Sequence, residues 1–222
     1  LKLSPMLDWH KAIADLKGTV DEVHIVSVGG ECKELLLVLA GKVSVSSVDS
    51  GSLENGVRVY CVDIMPKAEA DGEYKRSEFC YTIGGAADNI PTPNSLNSQL
   101  STLNSQFLFE PNASIMKAGC FAELSQAYGV EAIGPNSHLF VSSGRVEQFP
   151  GRKFAIEAVC TLNKRQLKQT LGTLKQANIA VRNFPMSVAE LRKRLKLRDG
   201  GDTYIFATTT MEGEHVLIIC RK

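Results

Sequence analysis

An α/β chain in two parts is predicted by three features of this 222-residue sequence. Apolar runs of strand length, Val23–Val28 and Leu35–Leu39, follow a stretch of helical period over Met6–Leu16. The last third, from about Gly151, reads as strand, helix, strand, helix and hairpin: FAIEAVCTL, NKRQLKQTLGTLKQ, ANIAVRNFP, SVAELRKRLKLR, then TYIFATTT with HVLIICRK. Between the two parts, Gly84–Gln106 holds Pro91, Pro93 and many Asn and Ser residues, a composition suited to a linker.

Taken in order, Leu1–Pro5 reads as the end of a strand. Met6–Leu16 is helical through Leu7, His10/Lys11, Ala14 and Leu16, and Gly18 is a natural stop. Val23–Val28 and Leu35–Leu39 are so continuously apolar that burial on both faces is expected. Gly29-Gly30 between them lacks the third glycine of a dinucleotide loop and is followed by Leu35-Leu36-Leu37-Val38-Leu39, so it reads as a hairpin turn. Residues 41–56 are a Ser/Gly-rich loop. Val57–Ile64 is a strand that pairs with Glu78–Ile83 across Pro66–Gly72. LNSQ recurs at 96–99 and 103–106, too short to be a structural repeat, and Leu96, Leu100 and Leu103 allow a short helix there. Phe107–Glu110 is a short strand, Ala113–Tyr128 a helix with Gly129 as its C′ residue, His138–Ser142 a strand, and Gly144–Arg152 a connector.

In the last third, Asn163 is the expected N-cap of a helix whose apolar stripe is Leu167, Leu171 and Leu174. Lys164, Lys168 and Lys175 fall within about 40° of one another at 3.6 residues per turn, a single cationic line. Ser187 with Glu190 three residues later is a capping box. Val188, Leu191 and Leu195 form the buried stripe behind it, and Arg192, Lys193, Arg194, Lys196 and Arg198 cover most of the rest. Residues 1–106 carry 9 Lys/Arg against 14 Asp/Glu, and residues 107–222 carry 16 against 10. An acidic part joined to a basic part assigns any polyanion contact to the second. Solvated helix faces are the plain alternative for the same charges.

No apolar run approaches the roughly 20 residues of a membrane-spanning helix, and the N-terminus has no signal-peptide pattern. The six cysteines lack C-x-x-C or zinc spacing and several lie in apolar strand patterns, so they are read as reduced, buried and cytosolic, with disulfides the lesser alternative, and no metal site is expected. His10, His24, His138 and His215 have no metalloprotease spacing, and no nucleophile elbow, P-loop or G-x-G-x-x-G is present. Asp199-Gly200-Gly201-Asp202 suits a turn at a helix end better than a cation site. From the residues alone, no catalytic constellation is visible.

Several stretches carry a resemblance: Leu1–Trp9, Glu22–Val28, Glu31–Leu36, Phe109-Glu110-Pro111-Asn112 and Pro135-Asn136-Ser137-His138-Leu139. To these add Phe149-Pro150-Gly151-Arg152, Arg182-Asn183-Phe184-Pro185, Asp199-Gly200-Gly201-Asp202, Phe206-Ala207-Thr208-Thr209 and Ile218-Ile219-Cys220-Arg221-Lys222. On these the chain resembles the C-terminal part of a bacterial family of class I S-adenosylmethionine-dependent methyltransferases with ferredoxin-like and THUMP-like C-terminal domains. The opening strand, helix, strand and hairpin return would be the family's fifth strand, its helix, and the sixth and seventh strands.

The resemblance implies an α/β fold in which residues 1–83 are the C-terminal part of a Rossmann-like methyltransferase sheet. Residues 84–106 would be a linker, 107–147 a ferredoxin-like subdomain, and 148–222 an α+β THUMP-like module. It implies S-adenosyl-L-methionine as cofactor of the full-length protein. The glycine-rich loop and Asp-Pro motif of the family are not in this chain, so the fragment by itself is not expected to bind the cofactor or catalyse transfer. Ser4, Pro5 and Asp8 would lie at the pocket rim; strand-end and helix-cap roles are the alternative. Structured RNA, tRNA or rRNA, is the implied partner. Lys164, Lys168, Lys175, Arg192, Lys193, Arg194, Lys196 and Arg198 would meet phosphates, with Arg152 and Arg182 flanking them. A cytoplasmic location is expected, and the edge of strand 1–4 should be covered by an N-terminal half or a second chain. Two readings stay open beside this one: a non-catalytic RNA-binding scaffold, and a methyltransferase acting on something other than RNA.

Overall fold

The computed structural model describes residues 1–40, 56–66, 74–84 and 105–222. The expectations for residues 41–55, 67–73 and 85–104, including most of the linker, the first LNSQ and the first two residues of the second, lie outside the described residues. Contacts divide the chain into two compact units, Leu1–Pro91 with Asn112–Glu123, and Thr92–Pro111 with Leu124–Lys222.

In the first unit, β1 (Lys2–Leu3), α1 (Trp9–Asp15), β2 (Val20–Val28), β3 (Glu31–Leu39), β4 (Arg58–Pro66) and β5 (Tyr74–Thr82) build one sheet of order β1-β3-β2-β4-β5. β3 runs antiparallel to both β1 and β2, β2 is parallel to β4, and β5 returns antiparallel to β4. Gly29 and Gly30 both have positive φ, 60° and 86°, as a tight hairpin turn requires. The helix starts later than its period suggests. Asp8 caps α1 by accepting from the His10 and Lys11 amides, and Trp9 and Ile13, one turn apart, make the buried face.

Burial on both faces of β2 is not what the structure has. Val23, Ile25 and Ser27 are buried, whereas His24, Val26 and Val28 are half-buried. The register explains the difference. Val23 and Ile25 sit between Leu37 and Leu35 of β3 and Val59 and Cys61 of β4, all on one face. The opposite face carries the Glu22–Arg58, Glu22–His24 and Lys2–Glu34 ion pairs and the His24–Tyr60 stack, groups that remain hydrated. A short helix, α2 (Ala113–Ala118), completes this unit by packing on β2, β3 and β4. The single helix expected over Ala113–Tyr128 is therefore two. Gly119 takes the left-handed conformation, φ 74°, ends α2, and α3 (Phe121–Tyr128) starts afresh.

In the second unit, β6 (Phe107–Pro111), β7 (Glu131–Ala132), β8 (Phe140–Ser142), β9 (Gly151–Thr161), α4 (Lys164–Leu171), β10 (Asn178–Arg182), α5 (Val188–Leu195), β11 (Thr203–Thr209) and β12 (His215–Arg221) form a seven-stranded sheet with helices. The strand order is β10-β11-β12-β9-β6-β8-β7, with only β10–β11 parallel. β8 is shorter than predicted because His138 has φ 52°, outside the extended region. A register shift in β9 opposite Ile219/Cys220 changes which face its residues address. Phe154 and Ile156 join Leu108, Leu139, Phe206 and Ile218 on one side, while Cys160 and Ala158 join Leu171, Leu191, Ile205 and Leu217 beneath the helices on the other.

Candidate nucleic-acid interface

The helix pair presents the cations. Asn163 caps α4 by accepting from the Arg165 amide at 2.9 Å. Leu171 is buried and Leu167 and Leu174 are partly so, which turns Lys164 and Lys168 outward. The helix ends at Leu171, so Lys175 lies beyond it and the line of three lysines is shortened to two. In α5 the capping box forms: Glu190 donates its amide to Ser187 Oγ, and the Ser187 amide donates to Glu190 Oε2 at 2.8 Å. Those bonds hold the Glu190 carboxyl below its ordinary range. Leu191 is fully buried, but Val188 is exposed, so the stripe is narrower than its spacing suggests.

The backbone segments that follow the two helices meet. Arg198 donates its amide to the Lys175 carbonyl at 3.0 Å, and Ala177 donates to the Arg198 carbonyl at 3.0 Å. Lys175 and Arg198 are thereby brought together, with Lys196, the left-handed C-cap of α5, just before. Lys164, Lys168, Lys175, Lys193, Arg194, Lys196 and Arg198 are all exposed and form no ion pair among the described residues. Arg192 differs from them. It is 23% exposed and donates to the Ala177 carbonyl and to Asp199, tying α5 to the start of β10.

Arg152 and Arg182 do not flank the helices. They lie on the opposite sheet face, where both meet Glu110, whose side chain is only 7% exposed. Arg152 uses Nε, at 2.7 Å, and a terminal nitrogen on Glu110 Oε2; Arg182 donates to Oε1 at 2.7 Å. β6 pairs Glu110 directly with Arg152 of β9. Gly151 is required beside them, because a Cβ there would stand 2.2 Å from the Glu110 carbonyl. His138 lies near by: burial, then the charge of Arg182, push its imidazole below the ordinary value. Asn183 donates to the Pro135 carbonyl at 2.7 Å, fastening the loop after β10 to the loop before β8. Thus Phe109–Pro111, Pro135–Leu139, Phe149–Arg152 and Arg182–Pro185 converge within the second unit. Glu110 and His138 had no role assigned from sequence, because their partners stand many residues away and a lone carboxylate in a short strand carries no periodic signal.

In the first unit, Asp8 is engaged as the cap of α1, and Ser4 Oγ accepts from the Met6 amide at 3.3 Å. Cys61, Cys120, Cys160 and Cys220 are buried thiols, whereas Cys80 is exposed and Cys32 half-buried, contrary to the expectation that all six are interior. Burial pushes the Cys220 thiol up to about 12.

The sequence profile described as "THUMP domain-like" matches residues 151–222, and that of a "ferredoxin-like domain" matches residues 107–150. The chain therefore carries a THUMP-like and a ferredoxin-like domain. No curated protein matches it. Among solved structures, the crystal structure of a "putative methyltransferase" from Porphyromonas gingivalis W83 is similar over 100% of this chain, at 31% identity and a TM-score of 0.78. The chain spans 50% of the length of that protein.

Proposed function

We propose that this chain is the RNA-docking part of an S-adenosylmethionine-dependent methyltransferase, with residues 148–222 holding structured RNA while the methyltransferase unit, to which residues 1–83 contribute, modifies it. The observation that carries this reading is the set of seven exposed cations on and behind α4 and α5, in the part of the chain that matches a THUMP-like profile. Such cations position a polyanion through its phosphates and carry no sequence preference of their own. The methyltransferase half is supported by the similarity to the Porphyromonas protein and by the strand–helix–hairpin order of β1, α1, β2 and β3.

S-adenosylmethionine is the proposed cofactor of the whole protein. In this chain Ser4 and Asp8 already accept backbone hydrogen bonds. The chain's own contribution in this reading is to bind and orient. Ser4, Pro5 and Asp8 remain the rim candidates of the proposed pocket, tRNA or rRNA the proposed partner, and the cytoplasm the proposed location.

Filter binding of bulk tRNA to the intact protein across a salt series tests the docking. With about six phosphates engaged, the log–log salt slope should be about −4. Replacing Lys193, Arg194, Lys196 and Arg198 by Ala should flatten it and weaken binding; Arg192 is left in place because it holds the fold. Methyl incorporation into cellular RNA from labelled cofactor is the companion assay. Absence of salt-dependent binding would remove the docking reading, and binding without methyl transfer to any RNA would leave a non-catalytic RNA-binding protein.

A further inference from the structure

The hairpin of β11 and β12 carries a histidine whose ring proton is placed by its neighbours. Thr209 and His215 are register partners, and Thr209 shares its sheet face with Ile205 and Ala207, which lie in the core beneath the helices. The Thr209 hydroxyl has one proton. Its oxygen lies 2.5 Å from the Asn183 carbonyl, which can only accept, so the proton is committed there. The same oxygen is 3.1 Å from His215 Nδ1 and must therefore accept from Nδ1–H. This pattern assigns the Nδ1–H tautomer to the neutral ring and leaves a lone pair on Nε2. Nε2 has no partner among the described residues, and the residue is exposed. The Phe184 ring, packed on the helix-side core, meets the imidazole edge-on at 5.4 Å and 66° and sets its tilt. His215 is thus an exposed acceptor held in a fixed orientation.

Both basic helices begin beside it. Val216, next in the chain, is the register partner of Thr161, which shortly precedes the Asn163 cap of α4, and Phe184 shortly precedes the Ser187 cap of α5. Exposed Lys164 and Arg165 open the first turn of α4. The hairpin turn itself carries exposed Glu212 and Glu214. Their charge disfavours a phosphate at His215 and does not oppose a neutral donor. On a nucleic acid the neutral donors are the base amines and the ribose 2′-hydroxyl. The hydroxyl borders the phosphates that neighbouring cations meet, lines the wide, shallow minor groove of an A-form helix, and is present in RNA alone.

We propose that His215 is a specificity-determining residue of the docking surface: its Nε2 accepts from a ribose 2′-hydroxyl, and Thr209, through Nδ1, holds the ring in the accepting form. The assignment rests on the RNA-docking reading of α4 and α5. It adds a means of telling RNA from DNA, which cations on phosphates do not supply.

The test compares binding of the intact protein to a tRNA transcript and to the same transcript built with 2′-fluoro nucleotides, which keep the A-form sugar geometry and lack the donor. His215→Phe keeps a ring against Phe184 and removes both nitrogens. It should lose about fivefold in affinity for the unmodified transcript, the scale of one neutral hydrogen bond, and leave affinity for the fluorinated one unchanged. Thr209→Val should show part of the same loss. NMR of the ring nitrogens in the free protein should find the proton on Nδ1, with Thr209→Val releasing it. A purely structural role for His215 would lower both affinities alike; that result, or a proton found on Nε2 in the wild type, would overturn the proposal. Failure of both transcripts to bind in a salt-dependent way removes the docking reading together with this assignment. Salt-dependent binding with the preference between transcripts unaltered in His215→Phe removes the assignment alone.

Discussion

His138 shows how one residue couples local backbone to charge. Its left-handed φ delays the start of β8 to Phe140, and its ring is partly buried beside Arg182. A site that penalises the imidazolium makes the unfolded chain the better proton binder. The stability contributed by neutral His138 is therefore complete above the ordinary imidazole value, about 6.5, and is lost as the pH falls through it toward the depressed folded value. Urea unfolding followed between about pH 7.5 and pH 5 should show a midpoint that declines, and His138→Asn should decline less. Asn tolerates left-handed backbone, so the variant removes the titration with little added strain. Equal slopes for the two proteins would refute this account of His138. Glu110 illustrates a different lesson at the same scale. Its neighbours Phe109 and Pro111 are buried with it, yet the arginines that justify its burial come from strands that begin about 40 and 70 residues later.

At the scale of the element, the second basic helix is held by its ends more than by its stripe. Leu191 alone is fully buried; Val188 is exposed and Leu195 half-buried. A helix of eight residues with one deep anchor depends on its capping box and on the left-handed C-cap at Lys196. Ser187→Ala should lower stability by about 1 kcal/mol, the usual worth of a lost N-cap. It should also reduce RNA affinity modestly, since frayed cations no longer share one geometry. Unfolding by urea measures the first and filter binding the second; an unchanged midpoint would mean that tertiary contacts hold the helix start without the cap. Capping was legible from Ser187 and Glu190 because it is a short-range rule. The early end of α4, which removes Lys175 from its helix, was not, because the apolar spacing runs on to Leu174 while the helix stops at its Gly172 C-cap.

For the whole molecule, the division into two units cuts across the order of the chain. Residues 112–123 belong to the first unit although they follow β6 of the second. A fragment beginning at residue 105 would carry α2 without the sheet it packs on, exposing Ile115, Ala118 and Cys120, all buried in the full chain. Such a fragment should bind the apolar dye ANS more strongly than the full chain does. Equal dye binding by the two would show that α2 does not depend on the first sheet. Periodicity alone joined α2 and α3 into one helix, because the break at Gly119 is a matter of backbone conformation and of which sheet each half meets.

By itself the sequence determined the short-range features of this protein: the Gly29-Gly30 hairpin, the caps at Asn163 and Ser187, the strand–helix alternation of the last third and the charge difference between the two parts. Each depends on residues within a few positions of one another, where propensity and hydrogen-bond geometry act directly. Only the tertiary structure decided which face of β2 is buried, that Arg192 belongs to the fold, and that Arg152 and Arg182 meet at Glu110 away from the helices. Those outcomes rest on strand register, and register is set by burial summed over whole strands, which no local pattern of residues reveals.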